Sequence, residues 1–447
     1  MSSINATVTQ WERPTVDTID VICSTMVALM RGLKTMGRSS EIQCRSLDLS
    51  AAYRQLCISD QSSEFAYIAV FDPGTKTARL FRQVGMPFGS RCSVNAFIRC
   101  ARCLQWLCAK CLLVPATCYF DDYVILSPPC LVKSTDWTVN LFLDLLGWKF
   151  DRDGDKADLF SHVTTALGVM FSLASSASGV VKVSNTQKRS TELVAQIDAT
   201  LASGKLHRKD SLVLRGRLAF ADAHVFGRAG RKRLQALTKH SYAKPFNPDL
   251  NEALQDALRV LRERLHTNLP RELDANAFES WSLYTDASFE SNNTGGMGGV
   301  LVRPDGSVAA WFGRDLTPGD TAPFLSPGQE TATGELETAA VVVALMLWGS
   351  SVAGRHLVSF VDNEGSKYSL VKGYSDSASI TRLCCMADEL LDQHRLLAWF
   401  SRVPSSSNIA DPPSRAAGHP MLDPGCMTSE VAVNEAFAKV VRELGHR

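Results

Sequence analysis

The chain has 447 residues, enough for two or three domains with substantial cores, and 45% of them are hydrophobic, which suits a globular protein. Its 47 Lys and Arg residues almost balance 46 Asp and Glu residues, so the net charge of +1 excludes no class of partner. The 13 cysteines show no regular framework, and no signal peptide precedes them, so we expect a reduced, intracellular protein of the cytoplasm or nucleus. The longest apolar run, residues 339–349, is too short to span a bilayer and predicts a buried helix.

The first 175 residues predict strands that alternate with helices. Residues 1–40 begin polar and become amphipathic and helix-like. Strands are predicted at "CRSLDLS", "FAYIAVF", "ARLFRQV", "LLGWKFD" and "TALGVMFSL", and helices from "AAYRQL" and after "PFGSRCS". Two CxxC pairs lie in a predicted helix at 93–113, with only four residues between them. This spacing is too short for a zinc ribbon, so we expect these cysteines to pack in the core.

The stretch "CYFDDYVIL" at 118–126 places two aspartates inside a strand-like run. Successive strand residues point to opposite faces, so a continuous strand would bury one carboxylate in the core. A hairpin avoids this burial, with Tyr119-Phe120 and residues 123–126 as its arms and Asp121-Asp122 as its tip. The sequence therefore predicts two carboxylates at the tip of a hairpin.

A third acid, Asp48, ends the predicted strand in "RSLDLSAAYRQL". Carboxylates at the ends of separate strands can share two Mg2+ ions, which lower the pKa of an attacking hydroxyl and stabilise a leaving pyrophosphate. Taken alone, Asp48 also fits the N-cap of a helix. Together with Asp121 and Asp122 it predicts a site for two-metal phosphoryl transfer.

These residues resemble the palm of a reverse transcriptase, whose motifs run Asp-x4-aromatic, Pro-aromatic-Gly and Tyr-x-Asp-Asp. The matching residues are Asp48 with Tyr53, then Pro87-Phe88-Gly89, then Tyr119-Phe120-Asp121-Asp122. The resemblance implies that Asp48 and Asp121 bind both metal ions and that Asp122 supports them.

The same resemblance implies a nucleotide site. Phe88, Gly89 and Phe97 would line its nucleotide and template side. Tyr53 would lie under the sugar, where its ring collides with a 2′-hydroxyl and so favours deoxynucleotides; the alternative is a ring packed in the core. Lys156 occupies a position where these enzymes often carry a lysine that protonates the leaving pyrophosphate, although a solvated surface lysine fits equally well.

Members of this family carry a long fingers segment with basic residues before the first aspartate. Only 47 residues precede Asp48, so we expect truncated fingers and weak DNA synthesis by this chain alone. Residues 186–270 have helical periodicity, and the segment from Lys205 to Lys239 holds ten Lys or Arg against two Asp. This basic face is either solvated or follows a phosphate backbone.

From residue 279 the pattern changes to three strands, a helix, a strand, a helix, a strand and a last short helix. The strands are predicted at "SWSLYTDAS", "GGMGGVLV", "SVAAWFGR", "RHLVSFVDN" and "LLAWFSRV", and the longer helices at 333–349 and 376–394. This order predicts a compact α/β unit. It carries four acids: Asp286, Glu337, Asp362 and Asp411. They can form a two-metal site for phosphodiester hydrolysis if the strand order brings them together.

The order of these acids resembles ribonuclease H, in "YTDAS", a Glu before an apolar helix, "VDN" and "NIADPPSR". The resemblance implies that all four acids bind metal and that Asn408 and Arg415 buttress the last one. Glu335 competes with Glu337, which we prefer because the following "TAAVVVAL" keeps the family's register. Family members often carry a histidine before the last acid, and serines in "VPSSSNIAD" replace it, which predicts slower cleavage.

The resemblance covers nearly the whole chain and is closest to the reverse transcriptases of tyrosine-recombinase retrotransposons. It implies an α/β fold built from a polymerase palm, a helical thumb and a ribonuclease H-like domain. The expected domains are an N-terminal segment at 1–40, the palm at 41–175, the thumb or connection at 176–278, the ribonuclease H-like domain at 279–415 and a tail at 416–447.

The implied function is RNA-directed DNA polymerase with ribonuclease H, using Mg2+ with Mn2+ as a substitute. Its expected partners are an RNA template, a DNA primer, an RNA·DNA hybrid and deoxynucleoside triphosphates, without a membrane. Two alternatives stay open. One is a ribonuclease H with a non-catalytic, truncated palm, and the other is a domesticated nucleic-acid-binding scaffold. The sequence predicts no oligomeric state.

Overall fold

The computed structural model describes residues 15–152, 159–221, 231–277, 279–325, 329–415, 420 and 422–445. The chain divides into two compact units. Unit 1 is Met1–Arg189 with Asn268–Asn276, and unit 2 is Ser190–Thr267 with Ala277–Arg447. Both units combine helices with sheets, so the predicted α/β fold class is confirmed.

Unit 1 contains three antiparallel sheets and four helices among its described residues. In chain order its elements are α1 (Ile19–Thr35), β1 (Gln43–Asp48), α2 (Asp60–Ser63), β2 (Tyr67–Asp72), β3 (Thr77–Arg82), α3 (Arg91–Lys110), β4 (Ala116–Tyr119), β5 (Asp122–Ser127), α4 (Val132–Leu145), β6 (Val163–Ala166), β7 (Val169–Ser172), β8 (Val180–Asn185) and β9 (Arg271–Asp274). The sheet orders are β1-β5-β4, β2-β3 and β6-β7-β8-β9.

The core of unit 1 follows from helical spacing of apolar residues. Along α3 the buried positions recur every three or four residues, at Phe97, Ala101, Leu104 and Cys108, and they pack with residues of the β1-β5-β4 sheet. Cysteines off this stripe are less buried than expected: Cys103, for example, is exposed because it falls on the solvent face of the helix.

Three local predictions in unit 1 were wrong. The stretch "AAYRQL" forms only a short 3-10 turn at Ala52–Gln55, at whose start Ala51 and Ala52 take positive φ values of 59° and 34°, outside the α-helical region. The segment "LLGWKFD" makes a single bridge, at Phe150, instead of a strand. The hairpin turns one residue earlier than predicted, at Phe120-Asp121, so Asp122 opens β5.

Unit 2 contains the part of α5 from Ser190 onward, and the helices and sheet strands that follow it. In chain order they are α5 (Gln187–Ser203), α6 (Arg208–Ala221), α7 (Arg231–Tyr242), α8 (Glu252–Thr267), β10 (Ser280–Phe289), β11 (Gly295–Val302), β12 (Val308–Leu316), α9 (Pro318–Thr321), α10 (Thr333–Trp348), β13 (His356–Val361), α11 (Glu364–Lys372), α12 (Ala378–Gln393), β14 (Leu397–Arg402), α13 (Asp411–Ser414) and α14 (Glu430–Gly445). Helices α5 to α8 share a leucine-rich core of their own.

The sheet of unit 2 has the strand order β12-β11-β10-β13-β14. Strands β10, β11 and β12 pair antiparallel, whereas β13 and β14 run parallel to β10. Helix α10 packs against this sheet and is buried along nearly all its length. By length and composition the segment Thr333–Val352 could cross a membrane, but 78% of its apolar stretch is buried inside the protein, as in a core helix.

The segment predicted as a featureless tail contains a helix. Helix α14 places Val433, Phe437, Val440 and Leu444 in the main core of unit 2. These residues recur every three or four positions, which is the amphipathic signal that the sequence analysis overlooked. The segment expected to be a helical thumb or connection, 176–278, also contains two strands. These strands, β8 and β9, lie on either side of the predicted helical stretch 186–270 and pair with each other in unit 1.

Candidate active sites

The sheet of unit 2 brings three predicted acids together. Asp286 lies in β10 and Asp362 directly follows β13; because these strands are parallel, with Thr285 beside Val361, the next residues of the two strands are neighbours. Glu337 lies in the first turns of α10, which packs on β10. The ligand oxygens of Asp286, Glu337 and Asp362 all lie within 4.8 Å of one another, and within the described part of the chain no other acid, His or Cys group is as compact.

Burial makes this cluster electrostatically unusual. Asp286 and Glu337 are only 3% and 2% exposed. Burial raises the pKa of Asp286 to about 6, and the charges of Asp362 and Asp411 add to the shift. Burial likewise raises the pKa of Glu337 to about 10, with a further contribution from Asp362. Such shifts arise where a charged carboxylate is disfavoured unless an opposite charge joins it.

The residues of the cluster fit a divalent cation. Oε2 of Glu337 is buried and has no hydrogen-bond partner among the described residues. Leaving a buried oxygen without a donor costs free energy, which a bound cation would offset. Three carboxylates that offer oxygens at this spacing are the ligand type that Mg2+ and Mn2+ prefer.

The segment after β14 supports Asp286 from the other side. The Ser414 hydroxyl donates to Oδ2 of Asp286 at 2.5 Å. Asn408 donates through Nδ2 to the backbone oxygen of Thr285 at 3.0 Å and to Oδ1 of Asp286 at 3.4 Å. The resemblance assigned Asn408 to the last acid, Asp411, and its backbone oxygen does accept from the Asp411 amide at 3.0 Å. Its Nδ2, however, contacts the first acid.

The fourth predicted acid, Asp411, begins α13 and lies outside the 4.8 Å group. It is nevertheless close, because its charge contributes to the raised pKa of Asp286. Arg415 donates from Nε to Oδ1 of Asp411 at 3.0 Å, the buttress that the resemblance implied. This ion pair holds one carboxylate oxygen of Asp411 toward Arg415.

Glu335, the competitor of Glu337, faces a different set of partners. It is buried, and its Oε1 accepts a hydrogen bond from the Ser377 hydroxyl at 2.9 Å. Its Oε2 accepts from Nε2 of Gln329 at 3.1 Å. Both oxygens of Glu335 therefore have donors, whereas Glu337 belongs to the acid cluster.

In unit 1, Asp48 and Asp122 are direct cross-strand partners of β1 and β5. The amide of Leu49 donates to the carbonyl of Asp121 at 3.2 Å, which makes the Asp48–Asp122 pair a non-hydrogen-bonded one, with side chains close together on one face. Phe120 and Asp121 form the two-residue turn of the hairpin. The φ of Phe120, 56°, is uncommon for a bulky residue. Within the described residues these three acids do not form a group as compact as that in unit 2.

Tyr53 lies in an aromatic group beside these acids. Its ring stacks on Phe97 at a centroid distance of 4.6 Å and meets Phe88 at 5.0 Å. Burial raises the pKa of Tyr53, and the charge of Asp121 adds to the shift, which places the two residues near each other. Phe88 is exposed, and Gly89 has a positive φ of 88°. Phe97 was predicted to line the nucleotide and template side, but it is fully buried and stacks on Tyr53.

The remaining predicted nucleotide residue, Lys156, lies outside the described residues. Two contacts at the sites were missed by sequence reasoning. The Ser405 hydroxyl donates to Oδ2 of Asp362 at 3.0 Å. The Asp17 carboxylate accepts from the amide of Cys118 at 2.9 Å, at the outer edge of β4. Ser405 lies in the stretch where a histidine was expected, so a contact between this stretch and the acids could have been predicted from the sequence. The local sequence around Asp17 gives no signal of its role.

Comparison with known proteins gives distant likenesses only. No protein-family model matches the chain. No curated protein sequence matches it either. Among solved structures, RNase H1 from the halophilic archaeon Halobacterium salinarum is 20% identical, with a TM-score of 0.26 over 31% of this chain and 96% of that one.

Two further solved structures are similar to this chain at low sequence identity. An N-terminal RNase H domain from Mycobacterium tuberculosis is 18% identical, with a TM-score of 0.26 over 31% of this chain and 93% of that one. A foamy viral protease-reverse transcriptase in complex with an RNA/DNA hybrid is 14% identical, with a TM-score of 0.44 over 82% of this chain and 45% of that one.

Proposed function

We propose that the chain is the RNA-directed DNA polymerase and ribonuclease H of a retroelement, and that unit 2 hydrolyses the RNA strand of an RNA·DNA hybrid. The observation that carries this proposal is the convergence of Asp286, Glu337 and Asp362 within 4.8 Å, with a buried oxygen of Glu337 that lacks a donor among the described residues. Three acids from separate elements reach one point only through the strand order of this fold.

The proposed chemistry of unit 2 is metal-assisted hydrolysis of a phosphodiester. Asp286, Glu337, Asp362 and Asp411 would hold Mg2+, or Mn2+ in its place. A divalent cation at such a site supplies positive charge that activates water and stabilises charge on the cleaved phosphodiester. The protein's own contribution is to exclude water from Asp286 and Glu337 and to fix the carboxylates through Ser414, Asn408 and Ser405.

The proposed polymerase site of unit 1 rests on the close pair Asp48 and Asp122 and the neighbouring Asp121. Their carboxylates come from separate strands and would offer Mg2+ the anionic oxygens that it prefers. Tyr53, beside Asp121 and backed by Phe97, would restrict the sugar to deoxyribose. Its substrates would be deoxynucleoside triphosphates on an RNA template with a DNA primer.

One observation favours the alternative of a ribonuclease H with a non-catalytic palm. Among the described residues the acids of unit 1 are less tightly grouped than those of unit 2. This alternative would keep hybrid cleavage and lose DNA synthesis. The scaffold alternative would lose both.

Primer extension and hybrid cleavage, measured side by side, test the proposal. Asp121→Asn should abolish DNA synthesis and leave hybrid cleavage unchanged, because an amide lacks the anionic oxygen that Mg2+ prefers. Asp286→Asn should do the reverse, with an unchanged circular dichroism spectrum. Asp305→Asn, at an exposed turn, is the matched control and should alter neither activity. Cleavage that survives Asp286→Asn in a folded protein would refute the nuclease assignment.

A further inference from the structure

The contact between Ser414 and Asp286 is built into the fold of unit 2. Ser414 is fully buried at the end of α13, and its hydroxyl lies 2.5 Å from Oδ2 of Asp286 and 2.8 Å from the backbone oxygen of Asp411. Pro412 and Pro413 occupy the first turn of α13, where their fixed φ favours a short, rigid helix. The backbone that carries the Ser414 hydroxyl therefore has little conformational freedom.

Glycines of the neighbouring strands allow this helix to come so close. Gly298 in β11 is the cross-strand partner of Asp286. A Cβ on Gly298 would lie 2.7 Å from the backbone oxygen of Ala410 and 2.7 Å from the amide of Ser414. On Gly296 it would lie 1.9 Å from the backbone oxygen of Ser414. Real Cβ atoms do not approach backbone atoms this closely, so the close packing of α13 explains Gly296 and Gly298 of the "GGMGG" sequence.

We propose that Ser414 is a positioning residue for the metal-binding carboxylate of Asp286, seated at its working distance by Gly296 and Gly298. This inference rests on the proposed function of the acid cluster. The hydroxyl occupies Oδ2 and fixes the side-chain rotamer. Oδ1 of Asp286, which has only the longer 3.4 Å contact from Asn408, would then be available to a cation held together with Glu337 and Asp362. Partners of this kind typically change metal affinity by about 10–100-fold when they are removed.

The test is Mn2+ binding to the full chain, followed through the electron paramagnetic resonance signal of free Mn2+. All proteins carry Asp48→Asn and Asp121→Asn, so that binding reports on unit 2. Ser414→Ala should weaken Mn2+ binding by about 10–100-fold. The matched control is Ser369→Ala, which removes another buried hydroxyl of unit 2, one that donates to the backbone oxygen of Gly365, and it should leave the affinity unchanged.

Two further variants cover a failure of Ser414→Ala to fold. Gly298→Ala keeps the hydroxyl but displaces α13, and should also weaken Mn2+ binding. Ser414→Cys keeps the side-chain shape with a poorer donor, and its affinity should fall between the parent and the alanine variant. Parental affinity in a folded Ser414→Ala or Ser414→Cys protein would overturn the inference.

The outcomes also separate this inference from the proposed function. If Asp286→Asn weakens Mn2+ binding and Ser414→Ala does not, only the positioning role of Ser414 is wrong. If Asp286→Asn leaves Mn2+ binding unchanged as well, the acid cluster is not the metal site, and the proposed nuclease function fails together with the inference.

Discussion

Glu337 illustrates at the scale of one residue how the site differs from an ordinary core. Its side chain is buried beside Asp362, and one of its oxygens lacks a donor among the described residues. Proteins tolerate such groups where function requires them, because burying an unpaired polar group costs stability. Glu335, two residues earlier, is equally buried but has a donor for each oxygen.

The two glutamates therefore respond differently to the same change. Glu337→Gln should raise the melting temperature of metal-free protein at neutral pH by a few degrees. The raised pKa of Glu337 means that this side chain must take up a proton on folding, whereas glutamine is neutral in the folded and unfolded chain alike. The substitution should also remove the stabilisation that Mg2+ gives the parent protein. Glu335→Gln should instead lower stability by about 1 kcal/mol, because an amide nitrogen cannot accept a hydrogen bond, and should keep the Mg2+ effect.

Thermal melts with EDTA and with Mg2+ measure both effects. The assignment of Glu337 is contradicted if Glu335→Gln is the variant that loses the Mg2+-dependent shift.

Tyr53 allows a second test at the scale of one residue. Tyr53→Val should admit ribonucleotides, because the smaller side chain leaves room for a 2′-hydroxyl. The measurement is the incorporation of a ribonucleotide relative to its deoxy form, in any variant or extended chain that synthesises DNA. Tyr67→Val, the same substitution at an exposed position of β2, serves as the control and should leave the ratio unchanged. An unchanged ratio in Tyr53→Val would mean that the ring only packs against Phe97.

At the scale of elements, long periodic segments were predictable and local turns were not. The five strands and two long helices of the C-terminal half lie where alternation and helical spacing placed them. The order of those strands in the sheet, which brings Asp286 and Asp362 together, depends on pairing between residues far apart in sequence. The hairpin tip at Phe120-Asp121 depends on one unfavourable φ value, which side-chain preferences do not reveal.

Helix α14 was overlooked because it was read as a tail, and it yields a prediction about stability. Phe437 is buried, stacks on Phe324 at a centroid distance of 6.0 Å and lies under the guanidinium of Arg314 at 4.3 Å. Phe437→Ala should destabilise the protein by about 3–5 kcal/mol. Lys439→Ala, on the exposed face of the same helix, should change stability little.

Urea unfolding followed by circular dichroism gives both values. A Phe437→Ala variant as stable as the parent would show that α14 does not belong to the core of unit 2.

The whole molecule carries two acid clusters, which differ in how closely their carboxylates approach one another. The acids of unit 2 converge and fit a cation, while the acids of unit 1 form a close pair with Asp121 in the adjoining turn. Binding of a nucleoside triphosphate also needs basic residues opposite the carboxylates, since unscreened like charges repel strongly where water is excluded. Five Arg or Lys residues lie before Asp48, but no pair of basic strands is predicted there. We therefore expect this chain to cleave hybrids more readily than it extends primers.

The most direct measurement uses one RNA·DNA hybrid with a recessed DNA primer, labelled on both strands, incubated with the full chain, Mg2+ and deoxynucleoside triphosphates. We predict that the RNA strand is cut within the hybrid faster than the primer is extended, and that Asp362→Asn stops the cutting while the protein stays folded. An RNA strand that stays intact with the parent chain, or that is cut equally by Asp362→Asn, would contradict the assignment of Asp286, Glu337 and Asp362 as a nuclease site.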